Sequence, residues 1–127
     1  MASEYRQLGT YTLTIPAGGT RDVTTALSTA DWTKLMYQID VLASTAAAST
    51  DITAQWQTAM TTDNFAKWST CGAAVSVSKT GYDSSVGDID WSTGHLSRFA
   101  KLTATNTTGG PITLTVQVSV LLKERAI

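Results

Sequence analysis

The sequence is short of most things that mark an enzyme, a metal protein or a nucleic-acid binder. One cysteine, Cys71, excludes an internal disulfide, and one histidine, His95, excludes a His-rich metal site. Charge is scarce. Nine Lys+Arg against ten Asp+Glu leave a formal net charge of -1, and charged residues make up 15% of the chain. Duplex nucleic acid and anionic membranes require clustered cations, and the basic residues here are scattered, so neither is an expected partner. Long apolar runs are missing too. Residues 118–122 form the most apolar stretch, broken by Ser119 and far short of a membrane span. Residues 1–10 carry Glu4, Arg6 and Gln7 with no apolar h-region, so no cleaved secretory leader is expected. At 127 residues the chain is of single-domain length. Folding would remove ~13,000 Å² from water, about two thirds of the unfolded surface, enough for a core without staples. One domain over residues 1–127 is the expectation.

What is abundant is the small hydroxyl. The chain has 23 Thr and 12 Ser, and β-branched threonine favours a pleated, half-exposed surface. Strand periodicity is correspondingly clear. In residues 112–123, Ile112, Leu114, Val116, Val118, Val120 and Leu122 alternate with Thr113, Thr115, Gln117, Ser119 and Lys123, with Leu121 the one apolar exception. Residues 98–106 place Ala100, Leu102 and Ala104 on one face, and the link Thr107-Thr108-Gly109-Gly110-Pro111 predicts a β-hairpin with the following strand. Tyr11, Leu13 and Ile15 alternate with Thr10, Thr12 and Thr14 up to a Pro-Ala-Gly-Gly stop. Residues 34–43 put Leu35, Tyr37, Ile39 and Val41 on one face, leaving Met36 and Leu42 as possible contacts on the other. Residues 51–60 turn Ile52, Ala54 and Trp56 inward, and residues 73–77 make a shorter strand. Residues 5–8 and 21–24 are weaker edge strands. Residues 24–32 admit a turn or two of helix without an apolar stripe, and the alanines at 46–48 are too few to propagate one. Together these predict an all-β fold, an antiparallel β-sandwich or jelly roll of about seven or eight strands.

Catalytic chemistry finds little support. His95 is the only imidazole, no G-x-S-x-G elbow surrounds a serine, and Cys71 has no neighbouring histidine, so Cys71 reads as a buried small apolar residue. Asp83, Asp88 and Asp90 lie in a Gly- and Ser-rich stretch read as a loop, where aspartates usually satisfy local backbone N–H groups. They are weak candidates for a calcium site, because the D-x-D-x-D-G spacing is absent. No enzymatic activity, cofactor or firm metal site is expected. Among the tryptophans, Trp56 belongs to the core, and Trp32 and Trp68 cap strand ends. Trp91, with Tyr82 and His95 in the same polar region, is the candidate for an exposed contact with a partner or a sugar.

Two stretches carry a resemblance. Ala54-Gln55-Trp56-Gln57-Thr58-Ala59-Met60 followed by Thr61-Thr62-Asp63-Asn64-Phe65-Ala66-Lys67-Trp68 is similar to the strand and Trp turn of discoidin-like jelly-roll modules. Residues 98–106, the Gly-Gly-Pro link and the Val-rich strand resemble the closing pair of such modules. Small proteins of this kind resemble virion proteins of tailed bacteriophages, capsid decoration (cement) proteins among them. That resemblance implies a non-enzymatic virion component located on the particle, whose partners are the major capsid protein and copies of itself. Residues 2–9 and 124–127 are candidate arms for strand exchange, the alternative being that both pair within their own domain. A carbohydrate-binding sandwich acting through Trp91 and Tyr82, or a tail or fibre component, is the alternative function.

Overall fold

The computed structural model describes residues 3–30, 32, 34–63, 67–79, 85–90 and 96–123, with backbone alone at 85–88 and 90. The described residues form nine strands and no helix: β1 (Ser3–Ile15), β2 (Thr20–Asp22), β3 (Leu27–Ser28), β4 (Lys34–Ser44), β5 (Ile52–Ala59), β6 (Ser69–Ser76), β7 (Ser85–Asp90), β8 (Phe99–Asn106) and β9 (Ile112–Lys123). One sheet has the order β1-β9-β4-β7. The other runs β2-β8-β5-β6, with β3 also on β8. Every pairing is antiparallel. The fold is the expected all-β sandwich.

Period-2 patterning decides which side chains meet between the layers. Leu35, Tyr37, Ile39 and Val41 of β4 and all six even-numbered residues of β9 are buried against Ile52, Ala54 and Trp56 of β5 and Ala100, Leu102 and Ala104 of β8. Trp56 is 1% exposed, and its ring meets Tyr37 of the opposite sheet at 5.6 Å and 53°. A tilted aromatic pair joins the two layers.

Four expectations are corrected. Residues 98–123 are not a hairpin, because β8 and β9 lie in different sheets. Each already has a neighbour on both edges, β2 and β5 for β8, β1 and β4 for β9, so the Gly-Gly-Pro link crosses between layers. Asn106 organises that crossing. Its buried amide donates to the carbonyls of Ile15 (3.0 Å) and Gly110 (2.8 Å), and its Oδ1 accepts from the Thr108 N–H (2.9 Å) and hydroxyl (2.7 Å). Among the described residues, 24–32 hold no helix: Leu27–Ser28 pairs with β8, Val23 donates to the Leu102 carbonyl and Thr29 to that of Arg98, and a single turn bond runs from Trp32 N to the Thr29 carbonyl at 3.1 Å. The supposed Gly- and Ser-rich loop holds strand β7, which pairs with residues 34–39 and buries Ile89. The fourth correction concerns the segment at 5–8, which is continuous with 11–15. A bulge at Leu8–Gly9 joins them, with Gly9 at φ +137°, and the extra residue keeps Tyr11, Leu13 and Ile15 facing inward.

Candidate functional site

Tyr82, Asp83, Trp91 and His95 lie outside the described residues, so the expected contact at Tyr82, Trp91 and His95 is not placed. Asp88 and Asp90 are strand positions of β7, in register with Met36 and Lys34 of β4. Asp83 lies outside the described residues, so the three calcium candidates are not placed relative to one another. Of the proposed arms, residues 3–9 are paired with β9 of their own domain, while residues 2 and 124–127 lie outside the described part. Trp68 is half-buried beneath Lys101, whose Nζ sits 4.5 Å from the ring centroid and also bridges to Asp22 at 3.2 Å. Cys71 is buried opposite Trp56, and desolvation pushes its thiol up to about 11, which makes it inert near neutral pH.

The described residues instead assemble a surface feature on the outer face of β1-β9-β4. The register aligns Tyr5 with Leu121 and Leu121 with Met36, so three apolar side chains form one row across three strands. The next row is Gln7, Ser119 and Gln38. Adjacent strands lie about 4.8 Å apart, so these side chains are contiguous. Tyr5 is 65% exposed, and its hydroxyl leans to Ser119 Oγ at 3.4 Å. Tyr5, Met36, Tyr37, Gln38, Ser119, Val120 and Leu121 line a shallow groove of about 160 Å³. On the opposite face of β1, in register with Leu122 and Val120, Arg6 Nε donates to Glu4 Oε1 at 2.7 Å, a hydrogen bond that holds the Glu4 carboxyl below its ordinary value and the Arg6 guanidinium above its own.

Farther along the same face the threonines pair with one another. Thr12 meets Thr115 and Thr14 meets Thr113, both at 3.0 Å, and Thr20 meets Thr105 at 2.8 Å on the other sheet. This face therefore carries a hydroxyl ladder toward one end and the apolar row toward the other, with Ser3, Lys123 and Lys34 in register beyond it. The row had a signal in the sequence. Leu121, Met36 and Leu42 are places where the outward half of an alternating strand turns apolar; strand register brings Leu121 and Met36 side by side, while exposed Leu42 sits at the irregularity between Val41 and Ala43. No general signal marked Tyr5, which sits in the weakest predicted strand.

No protein-family model and no curated protein matches the chain. Solved structures do. A chain from Bacillus endospore appendages, described as disulfide-linked pili, superposes with a TM-score of 0.51 at 11% identity, covering 98% of this chain and 88% of that one. A xylan-binding domain from Paenibacillus barcinonensis has a TM-score of 0.45 at 12% identity, covering 99% and 100%. A capsid chain of a Helicobacter pylori bacteriophage has a TM-score of 0.42 at 10% identity, covering 99% and 97%. At such identities the likeness is one of fold, and the β-sandwich is what it shows.

Proposed function

We propose that the chain is a non-catalytic, adhesive β-sandwich that decorates a larger protein shell of the bacteriophage-head type, seated on the major capsid protein. One observation carries this reading: the Tyr5–Leu121–Met36 row, an apolar strip on the outer face between a Gln7–Ser119–Gln38 row and a Ser3–Lys123–Lys34 row. Interfaces concentrate their energy in such anchors, with aromatic residues favoured and a polar surround that excludes water. Burying apolar surface yields about 25 cal/mol per Å², so one row gives weak attachment per copy, and many copies on a repeating lattice multiply it by avidity. Attachment is non-covalent in this reading, since the only cysteine is inside the core. The particle is then where the protein resides.

Incubating the purified protein with undecorated heads and imaging them tests the proposal. Saturable binding is expected, with Tyr5→Ala weakening it about tenfold or more while the melting temperature stays within the small change usual for surface substitutions. Heads that stay bare would overturn it. An open tyrosine ring beside the Gln38 amide and Ser119 hydroxyl also suits the stacking of a sugar ring, which favours carbohydrate recognition as the second reading. Signal on a glycan array, lost in Tyr5→Ala or in Trp91→Ala, together with no binding to heads, would put that reading first. Binding to tails or fibres alone would move the same surface to another part of the particle.

A further inference from the structure

Sheet edges present unpaired N–H and C=O groups, and proteins protect them with short strands, charges, prolines or bulges. Three of the four edges described here carry such protection. β2 and β3 are three and two residues long, and β2 includes Arg21 and Asp22. β6 is kinked by an irregularity against β5 near Gly72, which has φ +72°. β7 is six residues long and includes Asp88 and Asp90. β1 is the exception. Its first half has Glu4, Arg6 and the Leu8–Gly9 bulge, but its second half, Thr10-Tyr11-Thr12-Leu13-Thr14-Ile15, has no charge, proline, glycine or bulge. Among the described residues no strand pairs with its outer edge.

The direction of its peptide groups follows from a neighbour. Thr45 N donates to the Thr113 carbonyl at 3.1 Å, and Thr113 N donates to Thr45 Oγ1 at 3.0 Å, so the Thr113 peptide groups face the β4 side of β9. Thr14, aligned with Thr113, is therefore a non-hydrogen-bonded position of the β1–β9 pair, and so, by antiparallel alternation, are Thr12 and Thr10. Their N–H and C=O groups point outward, three donors and three acceptors in a row.

We infer that this edge is a self-association site, at which β1 of a second copy adds antiparallel about a two-fold axis at Thr12. The segment itself argues for a second copy over any other strand. Thr10-Tyr11-Thr12-Leu13-Thr14 has the same pattern read in either direction, hydroxyl-apolar-hydroxyl-apolar-hydroxyl, as an isologous antiparallel contact requires. Centred on Thr12, the pairing sets Thr12 against Thr12 and Thr10 against Thr14, and every outward-pointing peptide group finds a partner. On the outer face it extends the Thr12–Thr115 and Thr14–Thr113 ladder across the axis. On the inner face it sets half-buried Tyr11 against half-buried Leu13, covering both at the rim of the core. Two four-stranded sheets become one of eight. The inference goes beyond the decoration reading and does not depend on it, because it uses neither the Tyr5 row nor a capsid.

Sedimentation velocity of the full chain over a concentration series reads the association. A reversible dimer is expected. Thr12→Pro removes an N–H that points away from β9, so it should leave the β1–β9 ladder intact while abolishing the dimer, with folding checked by circular dichroism. Thr12→Cys provides a test that needs no disruption of the strand. Hydrogen-bonded antiparallel partners stand about 5.5 Å apart at Cα, within disulfide reach, so mild oxidation should give a covalent dimer on a non-reducing gel. Gln117→Cys, on the same face but one strand inside the edge, should give none. A wild-type chain that stays monomeric throughout, or equal cross-linking at positions 12 and 117, would overturn the inference. So would a dimer that survives in folded Thr12→Pro.

Discussion

Asn106 shows how one polar side chain determines where the chain goes between layers. It is fully buried, yet all of its hydrogen-bonding capacity is directed at its own surroundings: two carbonyls accept from its amide, and the Thr108 N–H and hydroxyl donate to its oxygen. Leaving a buried polar group without its partner costs about 1–3 kcal/mol, and Asn106→Ala strands the Ile15 carbonyl as well as the loop groups. The expected loss is therefore about 2–4 kcal/mol, read as a lower urea midpoint. Asn106→Asp keeps the acceptor but sets a carboxylate against two carbonyl oxygens, so burial and repulsion raise its folded-state pKa. A folded pKa raised above the unfolded value, about 3.9, means that this variant is least impaired below pH 4 and loses stability as pH rises from there. Urea denaturation at pH 4 and pH 7 checks the sign. An Asn106→Asp protein equally stable at both would show that the crossing is held by the chain around it and not by this amide.

At the scale of elements, β7 explains both what the sequence revealed and what it concealed. Long strands were readable to the residue because their apolar sets are unbroken: β9 spans Ile112–Lys123, where period-2 alternation placed it. β7 was not readable, since Ser85-Val86-Gly87-Asp88-Ile89-Asp90 is rich in residues that strands avoid. Its place is set by partners far away in sequence, the β4 ladder and Gly72 of β6. Gly72 has φ +72°, and a Cβ there would lie 2.8 Å from Ile89 Cγ1, so the glycine is needed for both conformation and space. The β8–β9 link misled for a related reason. A Gly-Gly-Pro turn signals reversal, and nothing local says whether the returning strand rejoins its own sheet or the facing one. Gly72→Ala should cost about 1–3 kcal/mol from backbone strain alone, and Ile89→Ala about 2–5 kcal/mol from the cavity it leaves. Because the truncation opens the space that the new methyl needs, the double variant should lose less than the sum of the two single losses. Strict additivity in thermal or urea denaturation would mean that β6 and β7 do not communicate through this contact.

For the whole molecule the governing fact is how little charge it carries. The formal net charge is -1 with 15% charged residues, and the ion pairs Arg6–Glu4 (2.7 Å) and Lys101–Asp22 (3.2 Å) are turned to neighbours within the chain. The contacting groups of both surfaces assigned a binding role are themselves uncharged: an apolar row on the outer face, lying between a Gln7–Ser119–Gln38 row and a Ser3–Lys123–Lys34 row, and a six-residue edge of threonine alternating with Tyr11, Leu13 and Ile15. Ionic strength screens charged contacts beyond about 10 Å at 0.1 M salt, and charge-driven association loses orders of magnitude in affinity as salt rises. Apolar burial and backbone hydrogen bonds do not behave this way, and strongly excluded salts such as sulfate strengthen the former. Self-association, and attachment to heads, should therefore change by less than about threefold between 0.05 and 0.5 M sodium chloride. Ammonium sulfate at the same ionic strength should tighten both. Sedimentation equilibrium and co-sedimentation with heads measure the two constants. A steep fall with sodium chloride would mean that binding runs through the scattered lysines and arginines, and that the hydroxyl ladders serve only to keep the outer faces wet.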